Sequence, residues 1–182
     1  MNVVRLVKKA KKGSKKALLE LIMAEKDAYY KLALTYMRNK HDAMDAMAEM
    51  IVTLYEKIGQ LKKEESFYSW SKTILVNDCK ALLRKQKKVV LIDEYIAVNG
   101  QDLPQTIYGN PYDDSDKQME IQELLLHLSE HQKEVIQLRY FHDLDYETIA
   151  AITNVSVGTV KSRLYYGLHK LSDHYGGDDG AP

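Results

Sequence analysis

Side chains suited to reading nucleic acid cluster between residues 156 and 169. At about 100° per residue, Gly158, Thr159, Lys161, Ser162, Tyr165, Tyr166 and His169 fall on one side of a helix. Val157, Val160, Leu164, Leu168 and Leu171 form an apolar stripe on the other. Donors, small residues and aromatic edges opposite such a stripe are what a helix needs to enter a major groove. The same pattern also fits a solvated face on an ordinary helical bundle, and the residues that position the helix separate the two readings.

Those residues predict a helix-turn-helix. Asp145 is placed to cap a first helix, Ile149 and Ile152 give it an apolar side, and Ala150 is small enough for a second helix to cross closely. Asn154 sits where the turn needs a left-handed residue, a conformation that Asn tolerates better than most. Ser156 can cap the second helix, and Ser129 with Gln132 has the spacing of a capping box for a helix upstream.

Bond-making chemistry has little to work with. His127 and His131 lie one helical turn apart, but no Glu follows His127 directly and no third ligand is marked. No Gly-rich phosphate loop occurs, no nucleophile pairs with a base, and the lone Cys79 reads as a packing residue. The expectation is a protein that is not an enzyme and uses no metal or cofactor.

The chain has 182 residues, 45% apolar and 29% charged, a globular composition that suggests one or two small domains. No signal peptide and no apolar run of roughly 20 residues is visible, so a cytoplasmic protein without direct membrane insertion is expected. The formal net charge of zero hides an asymmetry: residues 1–88 hold 20 Lys and Arg against 10 Asp and Glu, whereas 89–127 hold one Lys and eight acids. Gly100, Pro104, Gly109 and Pro111 mark the acidic stretch as a flexible linker. The expected fold is all-α: a helical domain over residues 1–88, an acidic linker over 89–117, a helix-turn-helix domain over 118–175 and a disordered tail over 176–182.

In the basic domain, a helix starting at Asp42 is expected to bury Met44, Met47, Ile51, Leu54 and Ile58 and to end at Gly59, leaving Asp45, Glu49, Val52 and Glu56 exposed. A second helix, from about Ser66 to Arg84, carries Phe67, Trp70 and Ile74 at helical spacing, with Trp70 the expected core anchor.

Extended in both directions, the C-terminal motif resembles the promoter-reading domain of bacterial sigma factors of the sigma-70 family. Gly158-Thr159-Val160-Lys161-Ser162-Arg163-Leu164 matches that family's recognition-helix signature at every position. Phe67-Tyr68-Ser69-Trp70-Ser71-Lys72-Thr73-Ile74-Leu75-Val76-Asn77 resembles the promoter-opening segment of the extracytoplasmic-function (ECF) branch. The absence of a middle domain between Lys88 and His127 fits that branch.

The resemblance implies three sites. Ser156, Thr159, Lys161, Ser162, Arg163, Tyr165 and Tyr166 would read the upstream, −35 promoter element. Phe67 and Asn77, with the loop Gln60 to Glu65, would hold a flipped base of the −10 element, while Lys72, Lys80 and Arg84 neutralise its strand; Asn77 could equally cap or bridge within the core. Asp45, Glu49 and Val52 would dock on core RNA polymerase. Departures from the family pattern are Ser129 for Pro, Tyr166 and Leu168 for Arg, Ser71 for Leu, Val76 for Arg, Ala81 for Asp, and Met44 and Ala48 for Glu and Gln. Family members are commonly held by an anti-sigma factor, often membrane-borne. The competing reading is a dimeric helix-turn-helix regulator that acts without polymerase, for which no dimerising heptads appear.

Overall fold

A computed structural model describes residues 1–96, 121 and 123–175. The chain divides into two compact units, Met1–Asn110 and Pro111–Pro182. Among the described residues every regular element is helical.

Among the described residues the N-terminal unit has five α-helices: α1 (Val3–Lys11), α2 (Lys15–Ala24), α3 (Lys26–Met37), α4 (Lys40–Lys57) and α5 (Phe67–Ile96). Each of the short breaks has a chemical cause. Asn2, Ser14 and Asn39 accept hydrogen bonds from backbone amides in the first turns of α1, α2 and α4. Gly13 at φ +93° and Arg38 at φ 64° turn the chain after α1 and α3. α3, α4 and α5 pack on one another around Tyr29, Leu32, Met50, Leu54, Phe67, Leu75 and Cys79, all essentially excluded from solvent.

Ser71 stands in this core without an energetic penalty, because its hydroxyl lies 2.7 Å from the buried Tyr29 hydroxyl and the two satisfy each other. Burial raises the Tyr29 pKa above its ordinary value, with the Ser71 hydrogen bond acting against the shift. Burial likewise pushes the Cys79 thiol up to about 12, which leaves it a packing residue with no thiolate character at neutral pH.

The expectations for α4 and for the core anchor of α5 are corrected. α4 starts at Lys40 behind the Asn39 cap rather than at Asp42, and its buried stripe is Ala43, Ala46, Met50 and Leu54, running on to Ile58; Met44 and Ile51 are exposed. Small alanines let α4 lie close to its neighbours, so close packing, not side-chain size, chose the stripe. Phe67 rather than Trp70 is the core anchor: Phe67 is fully buried, while Trp70 is half-buried with its ring centroid 6.4 Å away. Val76 is also fully buried, so position 76 faces the core and not a phosphate.

α5 continues to Ile96, past residue 88 where the linker was expected to begin. No Gly or Pro occurs between Phe67 and Val98 to stop it. The rest of the expected linker, up to residue 117, and the expected tail over 176–182 lie outside the described residues.

In the C-terminal unit, α6 (Glu130–Ile136) opens with the capping box formed by Ser129 and Gln132. It runs into a π-helical turn over Gln137–Phe141, closed by a hydrogen bond from His142 N to Gln137 O. α7 (Tyr146–Thr153) and α8 (Val157–Tyr175) follow. Val135, Ile136, Leu138, Leu144, Ile149, Ile152, Val160 and Leu164 form the core. Leu168 is exposed and does not belong to the buried stripe; Gly167 takes its place. A Cβ added at Gly167 would stand 2.8 Å from Ile136 Cδ1 and 3.3 Å from Gln132 Cβ, so the missing side chain is what lets α8 lie against α6.

Candidate nucleic-acid interface and docking face

The helix-turn-helix is set by the residues that its spacing singled out. Asp145 Oδ1 accepts the Thr148 amide at 2.7 Å, Asn154 adopts φ 55° and ψ 45°, and Ser156 Oγ accepts the Thr159 amide at 3.1 Å. With both helices fixed, Lys161, Ser162, Tyr165 and Tyr166 are exposed, while Thr159 and Arg163 are half-buried at the edges of the same face. The Ser162 hydroxyl donates to Thr159 O at 3.0 Å, and the Ser156 and Thr159 hydroxyls lie 2.9 Å apart. Tyr165 and Tyr166 meet edge to face, centroids 5.4 Å apart, and the His169 ring lies 6.2 Å from Tyr165.

One supporting residue lies outside the sequence reading. Lys161 Nζ lies 5.6 Å from the centroid of the Tyr146 ring, and the Arg139 guanidinium lies 5.3 Å from the same ring. Arg139 is itself held by donating to Leu144 O at 3.0 Å. Tyr146 thereby fixes the side from which Lys161 leaves α8. No spacing in the sequence links positions 146 and 161, which meet only through the turn.

The cations and wall residues assigned to α5 are not all brought together. Phe67 has no open face: it is fully buried, edge-on to Tyr68 at 5.3 Å. Lys72 is largely covered and lies 2.7 Å from Glu25 Oε2, so its charge is spent inside the unit. Asn77, by contrast, is exposed, which removes the alternative of a core bridge. Arg84 is exposed on the same side of the helix, and Lys80 lies between them, half-buried, with its Nζ 5.7 Å from the centroid of the Tyr36 ring. Asn77, Lys80 and Arg84 thus form one line at spacings of three and four.

α4 presents a mixed face. Asp45 and Glu49 are exposed beside Val52, with Met44, Ile51 and Tyr55 exposed around them, Met44 by 64% and Val52 by 53%. Exposed apolar side chains set among acids suit a surface that meets a partner. Beneath Glu49, Asp78 of α5 is raised above the ordinary carboxylate range, chiefly by burial and then by the Glu49 charge, against a hydrogen bond from Thr53. One Asp78 oxygen is buried with no hydrogen-bond partner. Asp42 behaves oppositely: hydrogen bonds from Asn39 and Gln86, at 2.7 and 3.0 Å, hold its carboxyl below the usual range.

Among the described residues no group of three or more His, Cys, Asp or Glu is arranged to hold a metal ion. His127 stacks on His174, centroids 4.0 Å apart, rather than pairing with His131. No described helix is long and apolar enough to cross a membrane.

A helix-turn-helix with an exposed polar and aromatic second helix, in a chain with a separate helical unit, defines a DNA-binding protein of transcription. Residues 118–171 match the model for Sigma-70, region 4, and residues 21–89 that for Sigma-70 region 2, and the chain belongs to the ECF branch of the sigma-70 family. It is 34% identical to RNA polymerase sigma factor SigV of Bacillus subtilis (strain 168), over 88% of this chain and 92% of that protein. To the ECF sigma factor SigW of the same organism it is 28% identical, over 94% and 95%. Among solved structures it is similar in fold to the sigma factor RpoE from Bartonella quintana, crystallised with the anti-sigma factor NepR, at TM-score 0.66, 23% identity and coverage of 90% and 99%.

Proposed function

We propose that this sigma factor joins core RNA polymerase through the mixed face of α4 and directs initiation by reading a −35 element with α8 and holding the opened −10 element along α5. Asp45, Glu49 and Val52, with Met44, Ile51 and Tyr55 around them, form the docking face. Thr159, Lys161, Ser162, Tyr165 and Tyr166 face the duplex, with Ser156 and Arg163 at its margins, and Asn77, Lys80 and Arg84 follow the single strand. Phe67 and Lys72 support that segment from within: one anchors the start of α5, the other ties it to Glu25.

The observation that carries this reading is the exposed α8 face, built on a turn in which every cap is satisfied, in a chain whose other unit matches region 2. The work is differential binding. Contacts to unstacked bases offset a melting cost of a few kcal/mol per base, and no bond in the protein or DNA changes, so the chain has no enzymatic turnover of its own. It acts in the cytoplasm, where core polymerase is. An anti-sigma partner, soluble or membrane-borne, holds it inactive; RpoE of B. quintana is bound by one in its solved structure.

In vitro transcription with core RNA polymerase and a library of genomic fragments tests the reading. Starts that require the protein and share two upstream elements are expected. Absence of new starts, together with tight binding of the protein alone to a palindromic site, would establish the dimeric regulator instead.

A further inference from the structure

We infer that α8 recognises its duplex through thymine methyl groups and adenine amino groups, with Tyr165 and Tyr166 as the specificity-determining pair, and that it does not read guanine by a bidentate cation. The inference rests on α8 being the promoter-reading helix.

At 3.6 residues per turn, the ridge of α8 farthest from its buried stripe consists of Gly158, Ser162, Tyr165 and His169. Thr159 and Tyr166 form one shoulder and Lys161 the other. The ridge carries no ammonium or guanidinium. Lys161 leaves the helix over the Tyr146 ring, and Arg163 is half-buried beyond Thr159. Both cations lie where a groove wall of phosphates would pass, not where its floor would. Guanine offers two acceptors, O6 and N7, and is read by two parallel donors from one Arg or Lys. A phenol offers one donor and cannot replace that fork.

What the ridge and its Tyr166 shoulder offer instead is apolar area and acceptors. Tyr165 and Tyr166 are 64% and 62% exposed, and their edge-to-face contact at 81° holds one ring against the other. Ring faces that protrude this far are complementary to the thymine C5 methyl, the one apolar group on the major-groove floor. Gly158, exposed and without a side chain, leaves the ridge low enough for the rings to reach that floor. The Ser162 proton is committed to Thr159 O, so its oxygen faces the groove as an acceptor, which suits the amino group of adenine. Methyl and amino group lie on the two partners of one A·T pair.

The test uses holoenzyme assembled with core RNA polymerase on a fragment at which it starts transcription. Each thymine of the upstream element, on either strand, is replaced by uracil, which removes only the methyl; each guanine is replaced in parallel by 7-deazaguanine, which removes N7. Loss of about fourfold in binding is expected for each contacted methyl, and little change at guanines. Holoenzyme carrying Tyr165→Ala with Tyr166→Ala is expected to bind thymine and uracil fragments alike, whereas Tyr165→Phe with Tyr166→Phe keeps the distinction. Indifference of the wild type to uracil, with the loss falling on 7-deazaguanine, would overturn the inference, as would a thymine preference that survives the double alanine. Holoenzyme that starts no transcript on any fragment would instead overturn the promoter-reading assignment on which the inference depends.

Discussion

Asp78 shows how one carboxylate can set the stability of a unit that it does not join to anything. Its folded pKa is raised, by burial first and Glu49 second, so the native state binds its proton more tightly than the unfolded chain does. Its contribution to stability is therefore greatest below the unfolded value and falls as pH rises from there through the folded pKa. Asp78→Asn keeps an acceptor for Thr53 and removes the charge. It is expected to raise the melting temperature at neutral pH and to lose that advantage toward pH 3; an equal gain at both would show that the charge is not the cause. On α8, Lys161→Ala is expected to weaken DNA binding and to flatten the dependence of log K on log salt by about one unit. An unchanged slope would remove Lys161 from the phosphates. The caps on this motif were legible because capping is local: Asp145, Asn154 and Ser156 each bond within a few residues of themselves. Asp78 and Tyr146 were not, since their partners lie on other helices. Phe67 and Trp70, three apart on one helix, were both read as aromatic and apolar, and only the approach of α3 and α4 decides which is sealed.

The first half of α4 packs one residue away from the expected stripe, whereas Leu54 and Ile58 are buried as expected. Apolar residues occupy so much of its circumference that several stripes can be drawn, and the heavier one through Met44 and Ile51 was preferred over one that passes through Ala43 and Ala46. Its helical character and the exposure of Asp45, Glu49 and Val52 were legible all the same, because acids tolerate burial poorly and Val52 lies on their side of the helix. The mixed face that results makes two separable contributions. Asp45→Ala with Glu49→Ala is expected to lower affinity for core polymerase most at low salt, while Val52→Ser, which removes apolar area without adding a charge, lowers it at low and high salt alike. Affinity unaltered by either change would defeat the docking assignment. The position of α8 was legible from its stripe as far as Leu164; beyond it, Gly167 was passed over because a residue without a side chain leaves no apolar mark, although it is where two helices come closest.

At the scale of the molecule, the change from a basic first half to an acidic middle showed that the chain has parts, but not where the first part stops. α5 runs past residue 88 to Ile96 because no Gly or Pro interrupts it, and a change in the sign of charge does not stop a helix. Each unit has a core of its own, so unfolding by heat or denaturant is expected to show two transitions. Gly167→Leu, which forces a side chain between α8 and α6, is expected to lower one of them by about 1–3 kcal/mol, and Asp78→Asn to move the other. A single transition shifted by both substitutions would refute the division.

On the proposed docking face, the repulsion between Glu49 and Asp78 would also make hydrogen ion a competitor for the partner. A cationic surface laid against Glu49 would relieve part of the charge that keeps the Asp78 proton in place, so docking there is expected to release a fraction of a proton within the interval in which Asp78 titrates. By the same reciprocity, affinity for the polymerase is expected to climb with pH across that interval. Calorimetric titration of the complex in two buffers of different ionisation enthalpy would count that fraction directly, and identical heats in both would show that the face binds without exchanging protons.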